Sequence, residues 1–138
     1  MSDRVFLDTN IIIYMYSEDD EDKRDIAYQF VNNTNCVTSI QVMNEVSNVL
    51  IKKYALGKSE ISKYLDEIEA ISEEVLLIQR KTINQALDIK EKYGYSFYDC
   101  IMLASAIEAS CSIILTEDMN DGQVIDGTLK IVNPFTVY

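Results

Sequence analysis

The chain has 138 residues, of which 48% are hydrophobic, and this size and composition predict one folded domain over residues 1–138 rather than a disordered segment. Its 12 basic and 23 acidic residues give a formal net charge of −11, which disfavours broad electrostatic adhesion to nucleic acid or to anionic membranes. Because the chain contains no histidine, any hydrolytic chemistry has to depend on carboxylates, with a bound metal, rather than on imidazole.

Secondary-structure elements follow from the apolar pattern and its interruptions. In chain order, we predict a strand at 4–8, a helix from the acidic tract 17–22 to residue 31, a strand at 36–38, helices over 38–57 and 59–71, a strand at 75–78, helices over 82–93 and 97–110, a strand at 112–116, a turn at 119–122 and a last strand at 129–132. Strands separated by helices imply right-handed crossovers and a mostly parallel sheet that is covered on both faces. The predicted fold class is therefore α/β.

Particular residues set the predicted helix boundaries and buried faces. Thr38-x-x-Gln41 has the spacing of a capping box, and Gly57 is expected to end the helix that it begins. Ile71 and Leu87 fall on the apolar faces of two later helices and are expected to be buried.

The three cysteines and the absence of sorting signals bear on the cellular compartment. Cys36, Cys100 and Cys111 show no C-x-x-C spacing, and without histidine they do not indicate a zinc site. We interpret them as buried free thiols in a reducing cytoplasm. No signal-peptide pattern and no apolar run of about 18 residues appear, so we expect a cytoplasmic protein that makes no contact with membranes.

Four acids occupy the ends of apolar segments or the edge of an apolar helix face: Asp8, Glu45, Asp99 and Asp118. Asp8 and Asp118 follow the C-terminal ends of strands, so both should project into the crevice where parallel sheets bind ligands. Glu45 lies at the edge of a buried helical stripe, and Asp99 lies over apolar surface near a helix N-terminus. Each also has a structural explanation: a cap or turn for the three aspartates, and an ion pair with Lys52 or Lys53 for Glu45.

Considered jointly, four carboxylates without histidine suit a hard cation. Magnesium and manganese prefer oxygen ligands and retain several waters, and such ions serve phosphodiester hydrolysis. The acidic tract 18–22 lacks the ligand spacing of a calcium loop, and we interpret it as a solvated helix start.

Several segments carry a resemblance in their order and spacing: Val5-Phe6-Leu7-Asp8-Thr9-Asn10, then Asn44-Glu45, then Phe97 to Ala106, and finally Leu115 to Met119 with Gly122, followed by Val132-Asn133-Pro134-Phe135. Together they resemble the motifs of the PIN domain, the fold of many single-stranded RNA nucleases and of the toxins of VapBC-type toxin–antitoxin pairs. The resemblance covers about residues 4–135. Cys100 stands where another small residue is usual, and Asp121 is one acid more than the pattern needs.

This resemblance implies a three-layer α/β/α sandwich and a magnesium- or manganese-dependent endoribonuclease that leaves a 5′-phosphate and a 3′-hydroxyl. By the same resemblance, the metal-binding and catalytic residues are Asp8, Glu45, Asp99 and Asp118, with Asn10, Thr116 and Asp121 in supporting roles. It further implies a homodimer and an antitoxin protein that wraps the chain and obstructs the site.

Contact with RNA requires cations that the acidic composition makes scarce. The densest basic stretch carries four lysines that are candidates for RNA-backbone contacts: Lys52, Lys53, Lys58 and Lys63. The alternative for this stretch is a solvated helix end and loop.

Three other classes of protein compete with this interpretation. Phosphatases similar to haloacid dehalogenases need a second aspartate where Asn10 stands, and receiver domains need adjacent acids after the first strand and a late lysine. A non-catalytic module that binds RNA or protein through the same acids is the remaining alternative.

Overall fold

The computed structural model describes residues 3–136, in which six strands alternate with six helices. In chain order the elements are β1 (Arg4–Leu7), α1 (Thr9–Tyr16), α2 (Glu21–Asn33), β2 (Asn35–Ser39), α3 (Ile40–Lys52), α4 (Lys58–Ile71), β3 (Ser72–Leu76), α5 (Arg80–Tyr93), α6 (Phe97–Glu108), β4 (Ile113–Leu115), β5 (Val124–Ile125) and β6 (Leu129–Val132). The first two and last two positions of the predicted domain, 1–138, lie outside the described residues.

One sheet of order β3-β2-β1-β4-β6-β5 organises these elements. All neighbouring strands are parallel except β5 and β6, which form an antiparallel pair at one edge. The predicted α/β class with a mostly parallel sheet is thereby confirmed. Within residues 3–136, no helix has both the length and the apolar character needed to cross a membrane.

The central position of β1 explains its composition. Val5, Phe6 and Leu7 are all buried, although successive side chains of a strand point to opposite faces of the sheet. Both faces are therefore covered at this strand. On one flank of the fold α1 packs against α2 and α3, and elsewhere α5 packs against α6. Continuous apolar runs are typical of such doubly covered parallel strands.

Two elements escaped the sequence prediction, and one strand was misplaced. Helix α1 was missed because residues 11–13 and Met15 are all buried, so its sequence shows no polar face and no helical period. Strand β5 has only two residues. The strand predicted at 75–78 lies instead at Ser72–Leu76, because this edge strand exposes Glu73 and Glu74 and lacks an apolar signal.

The ends of α3 and two predicted buried positions also differ from expectation. Gly57 does not end α3, which stops at Lys52; it stands directly before α4 as that helix's N-cap. Ile71 and Leu87 are 39% and 49% exposed, so neither belongs to the core. Helix α5 covers nearly the predicted range 82–93 and ends at Gly94, with the positive φ of 78° that favours glycine. The predicted free thiols are buried and unpaired with one another.

The N-terminus of α3 is capped by Ser39 and not by Thr38. The Val42 backbone N–H donates to Ser39 Oγ at 3.2 Å, while Thr38 Oγ1 is buried without a hydrogen-bond partner among the described residues. The capping-box spacing was wrong by one residue because β2 runs as far as Ser39, so that α3 begins at Ile40 and Ser39 is the residue directly before it.

Substitutions at these two neighbours should have opposite effects on stability. We expect Ser39→Ala to lower the free energy of unfolding by about 1 kcal/mol, since it removes a helix cap. Thr38→Val, which removes an unpaired buried hydroxyl without changing the shape, should leave that free energy unchanged or raise it by about 1 kcal/mol. Chemical denaturation followed by circular dichroism measures both; a larger loss for Thr38→Val than for Ser39→Ala would contradict this assignment of the cap.

Candidate functional site

Pairing of β1 with β4 brings Asp8 and Thr116 together at the carboxyl edge of the sheet. Leu7 lies in register with Leu115, and the Asp8 N–H donates to the Leu115 carbonyl at 3.1 Å. Thr116 Oγ1 donates to Asp8 Oδ2 at 2.6 Å, and the Thr9 N–H donates to Asp8 Oδ1 at 2.5 Å. Asp8 is the N-cap of α1, which confirms its predicted capping role, and it lies at the carboxyl edge of the sheet.

Asp118 is tied to the same edge by two contacts. Asn10 Nδ2 donates to Asp118 Oδ2 at 2.9 Å, and the Asp118 N–H donates to Thr116 Oγ1 at 3.2 Å. The hydroxyl of Thr116 therefore accepts from one acid's backbone and donates to the other acid's carboxylate. Asn10 and Thr116, two of the three predicted supporting residues, both contact predicted acids.

Glu45 reaches this region from the middle of α3. Thr9 Oγ1 donates to Glu45 Oε2 at 2.5 Å, and Gln41 Nε2 donates to Glu45 Oε1 at 3.2 Å. Lys52 and Lys53, the alternative partners considered from the sequence, form none of the ion pairs found within residues 3–136.

Asp99 lies in the first turn of α6. Its backbone N–H donates to Ser96 Oγ at 3.2 Å, so Ser96 caps the helix. Burial raises the pKa of Asp99, and the charges of Asp118 and Glu45 raise it further. These interactions place Asp99 within electrostatic range of both.

Asp8 has the most perturbed acid–base equilibrium of the four carboxyls. Burial raises its pKa from the ordinary 3.8 to about 7; the hydrogen bonds from Thr116 and Thr9 oppose this rise, and the charges of Asp118 and Asp99 add to it. None of the ion pairs between residues 3 and 136 involves any of the four acids. The structure thus gathers negative charge without a lysine or arginine partner.

This donor set suits a hard divalent cation. Carboxylate oxygens are preferred ligands of magnesium and manganese, and a cation would relieve the repulsion that raises the pKa of Asp8. In the part of the chain that the structure describes, no three acidic or thiol side chains lie close enough to form a complete ligand group. Magnesium is commonly held by one or two carboxylates and several waters, so the arrangement is compatible with that ion.

The last predicted site residues are Asp121 and the four lysines. Asp121 follows Asp118 by three residues, and its Oδ1 accepts from the Asn133 N–H at 2.8 Å, next to the end of β6. The four lysines are exposed: Lys52, Lys53, Lys58 and Lys63. Lys52 is about 10 Å beyond Glu45 along the helix axis, at 1.5 Å per residue. Lys63 lines a cavity together with Glu60 and Glu67.

Sequence reasoning missed the roles of Thr9 and Gln41. The direction of the Thr9 side chain depends on α1, which was not recognised as a helix. Gln41 precedes Glu45 by four residues on one helix, and this spacing could have indicated their contact.

A second group of residues that sequence reasoning missed stabilises the loop next to Asp118. Lys23 Nζ pairs with Glu117 Oε2 at 2.9 Å, and Tyr14 Oη donates to Glu117 Oε1 at 2.5 Å. Lys23 also lies 4.7 Å from the centre of the Tyr14 ring, and its hydrogen bond to Glu117 raises its pKa to about 12. The residue next to Asp118 is therefore held by α1 and α2.

Comparison with known proteins relates the sequence of this chain to a family. The sequence model of the PIN domain matches residues 5–120. No curated protein sequence matches the chain.

Similar solved structures share the fold at low sequence identity. They include a toxin–antitoxin complex from Klebsiella pneumoniae (TM-score 0.72, 21% identity, covering 96% of this chain and 99% of that one). Two others are the sarcin–ricin loop cleaving toxin VapC20 of Mycobacterium tuberculosis (0.65, 16%, 80% and 86%) and VapBC2 of Rickettsia felis bound to a promoter DNA fragment (0.66, 16%, 94% and 99%).

The raised pKa of Asp8 predicts that the metal-free protein loses stability as the pH rises from about 4 to about 7. Over this window the unfolded chain has released the Asp8 proton while the folded chain retains it, so the free energy of unfolding falls with increasing pH. Asp8→Asn should therefore gain stability relative to wild type toward pH 8, by at most roughly 4 kcal/mol.

Urea denaturation in a chelator at several pH values measures this difference. Asp66→Asn, which removes one exposed negative charge from α4, is the matched control. A wild-type-minus-Asp8→Asn difference that does not vary between pH 5 and pH 8 would contradict the raised pKa.

Proposed function

This chain belongs to the PIN domain family, and on that premise we propose that it is a magnesium- or manganese-dependent endoribonuclease, the toxin of a toxin–antitoxin pair. The observation that carries the proposal is the unneutralised group of acids around Asp8, whose pKa is raised to about 7. A crevice that concentrates negative charge would repel RNA phosphates unless a cation intervenes. The site is therefore suited to a phosphodiester substrate only in the presence of a divalent ion.

In this proposal, the acids of the site and the residues that orient them have different roles. Asp8, Glu45, Asp99 and Asp118 would hold the ion or ions. A bound magnesium or manganese ion would supply charge stabilisation and an activated water. Thr116 keeps Asp8 and the Asp118 backbone in a fixed relation, and Asn10 orients the Asp118 carboxylate. Asp121 takes a supporting part in this proposal, through its contact with the Asn133 backbone.

RNA as the substrate class rests on the family and on one similar structure. The Mycobacterium tuberculosis toxin is described as cleaving the sarcin–ricin loop, and its structure matches 80% of the length of the present chain. We propose that the lysines of the α3–α4 region contact the RNA backbone, since Lys52, Lys53 and Lys58 are exposed.

The partner proposed for this chain is an antitoxin protein, in addition to a second copy of the chain in a homodimer. The structures similar to this chain include a toxin–antitoxin complex. A cavity of about 270 Å³ suits a partner segment with apolar and basic side chains, because Tyr16, Tyr54 and Tyr64 line it together with Glu18 and Asp19. These interactions would take place in the cytoplasm.

Cleavage of RNA tests the proposed activity directly. With manganese, wild type should cut single-stranded or structured RNA, and chelator should abolish cutting. Asp8→Asn should lower the rate by about 100-fold or more, since it removes a carboxylate from the metal site. Gel analysis of labelled RNA gives the rate, and Asp66→Asn is the matched control.

Two outcomes would reject this assignment. Cleavage by a folded Asp8→Asn protein at the wild-type rate would exclude Asp8 from the site. Manganese-independent RNA binding without cleavage would favour the alternative, a non-catalytic binding module.

Reversing the charge of two lysines tests the RNA surface. Lys52→Glu with Lys53→Glu should weaken RNA binding and reduce the slope of log affinity against log salt concentration by about 1 to 2, because each neutralised phosphate releases counterions. Fluorescence anisotropy at several salt concentrations measures the slope. Lys81→Glu with Lys130→Glu changes the total charge equally at other exposed positions, and an equal effect of both pairs would reject a local contact.

A further inference from the structure

We propose that Thr9, assisted by Gln41, is a positioning residue that fixes the Glu45 carboxylate in relation to Asp8 and thereby sets the affinity of the acidic crevice for its divalent ion. This inference rests on the proposed function. It assigns a role in that site to two residues through their hydrogen bonds to the acids.

Thr9 makes direct contact with two of the four acids. Its backbone N–H donates to Asp8 Oδ1 at 2.5 Å, and its side-chain hydroxyl donates to Glu45 Oε2 at 2.5 Å. The residue is only 7% exposed, so water competes little for these hydrogen bonds. A single buried residue thus links the acid at the end of β1 to the acid in the middle of α3.

Gln41 completes the restraint on Glu45. Its side-chain amide donates to Oε1 at 3.2 Å, while Thr9 occupies Oε2, so both carboxylate oxygens have a donor. Glu45 is half-buried on a helix surface, where a long side chain would otherwise sample several rotamers. The two donors, from α1 and α3, select one orientation.

The chemical nature of these donors is informative. A lysine or arginine at either position would also orient Glu45, but it would neutralise the charge that attracts a cation. A hydroxyl and an amide carry no net charge, so they orient the carboxylate and leave its charge available. Groups that hydrogen-bond metal-ligating carboxylates in this way typically change metal affinity or activity by 10- to 100-fold when substituted.

The start of α1 does not require the Thr9 hydroxyl. Asp8 supplies the N-cap contact through the Thr9 backbone N–H, which every residue except proline retains. The hydroxyl instead reaches a residue 36 positions away. Thr9→Val preserves the branched shape and the backbone donor, and it removes only the contact with Glu45.

Manganese titration of the protein without RNA provides a readout that is independent of activity. Half-saturation is measured from the rise in melting temperature with added manganese. We expect Thr9→Val to raise the half-saturating concentration about tenfold or more. Thr9→Ser, which restores the hydroxyl, should return it to within about threefold of wild type, and cleavage assays at saturating RNA should show the same order.

Thr82→Val is the matched control. Thr82 is also buried, and its hydroxyl accepts from the Gln79 N–H at the start of α5, away from the four acids. Its loss should lower the melting temperature without changing the manganese requirement. Gln41→Met, which keeps the side-chain length, gives a second test on a half-buried position where folding is less at risk, and it should also raise the half-saturating concentration.

A double-mutant cycle identifies the residue through which Thr9 acts. In a Glu45→Gln background, adding Thr9→Val should change the manganese requirement by less than about twofold, because the group that Thr9 orients has already been altered. Full additivity of the two substitutions would overturn the proposal, as would a folded Thr9→Val protein with the wild-type requirement. A wild type that binds no manganese would overturn the proposed function as well, so the two failures are distinguishable.

Discussion

The pairing of β1 with β4 is the interaction on which the site depends. Asp8 and Thr116 are 108 residues apart in the chain, and the parallel register of the two central strands places them in hydrogen-bonding contact. Two positions further along each segment, Asn10 and Asp118 then contact each other across the same edge. One strand pair in the middle of the sheet therefore determines where two of the acids, and both of the residues that orient them, are located.

The environment of the acids shows a consistent chemical preference. Asp8 accepts from a hydroxyl and a backbone N–H, Asp118 from an amide, and Glu45 from a hydroxyl and an amide. Lys23 lies nearby, but it pairs with Glu117, and the Asp118 carboxylate accepts a hydrogen bond from Asn10 instead. Uncharged donors order the carboxylates and leave their negative charge in place; burial, with a smaller contribution from the charges of Asp118 and Asp99, raises the pKa of Asp8. The uncharged donors thus orient the carboxylates, and the carboxylates themselves supply the negative charge.

Local patterns in the sequence were sufficient for part of this arrangement. Asp8 and Asp118 were predicted from strand ends and Glu45 from the edge of a helical stripe, because these signals depend on neighbouring residues alone. The contact of Thr9 with Glu45 could not be predicted, since it depends on the direction of a buried helix that shows no apolar period. Asp121, an acid close to Asp118 in sequence, has a contact that its neighbouring residues do not reveal: its carboxylate accepts from the Asn133 backbone N–H, 12 residues further along the chain. The predicted cap of α3 was wrong by one residue because strand β2 extends to Ser39 and the helix begins only at Ile40.

The long separation between β1 and β4 also has a consequence for the order of synthesis. A ribosome completes Asp8, Glu45 and Asp99 well before it adds the strand that holds Asp8 in place and the loop that carries Asp118. Until β4 and β6 are available, β1 lacks one of its two neighbours, and the sheet lacks the half that includes its antiparallel edge. A chain interrupted before residue 113 would contain three of the four acids but neither Asp118 nor Thr116, which donates to Asp8. The contacts of Asp118 with Asn10 and Thr116 thus become possible only when nearly the whole polypeptide has been translated.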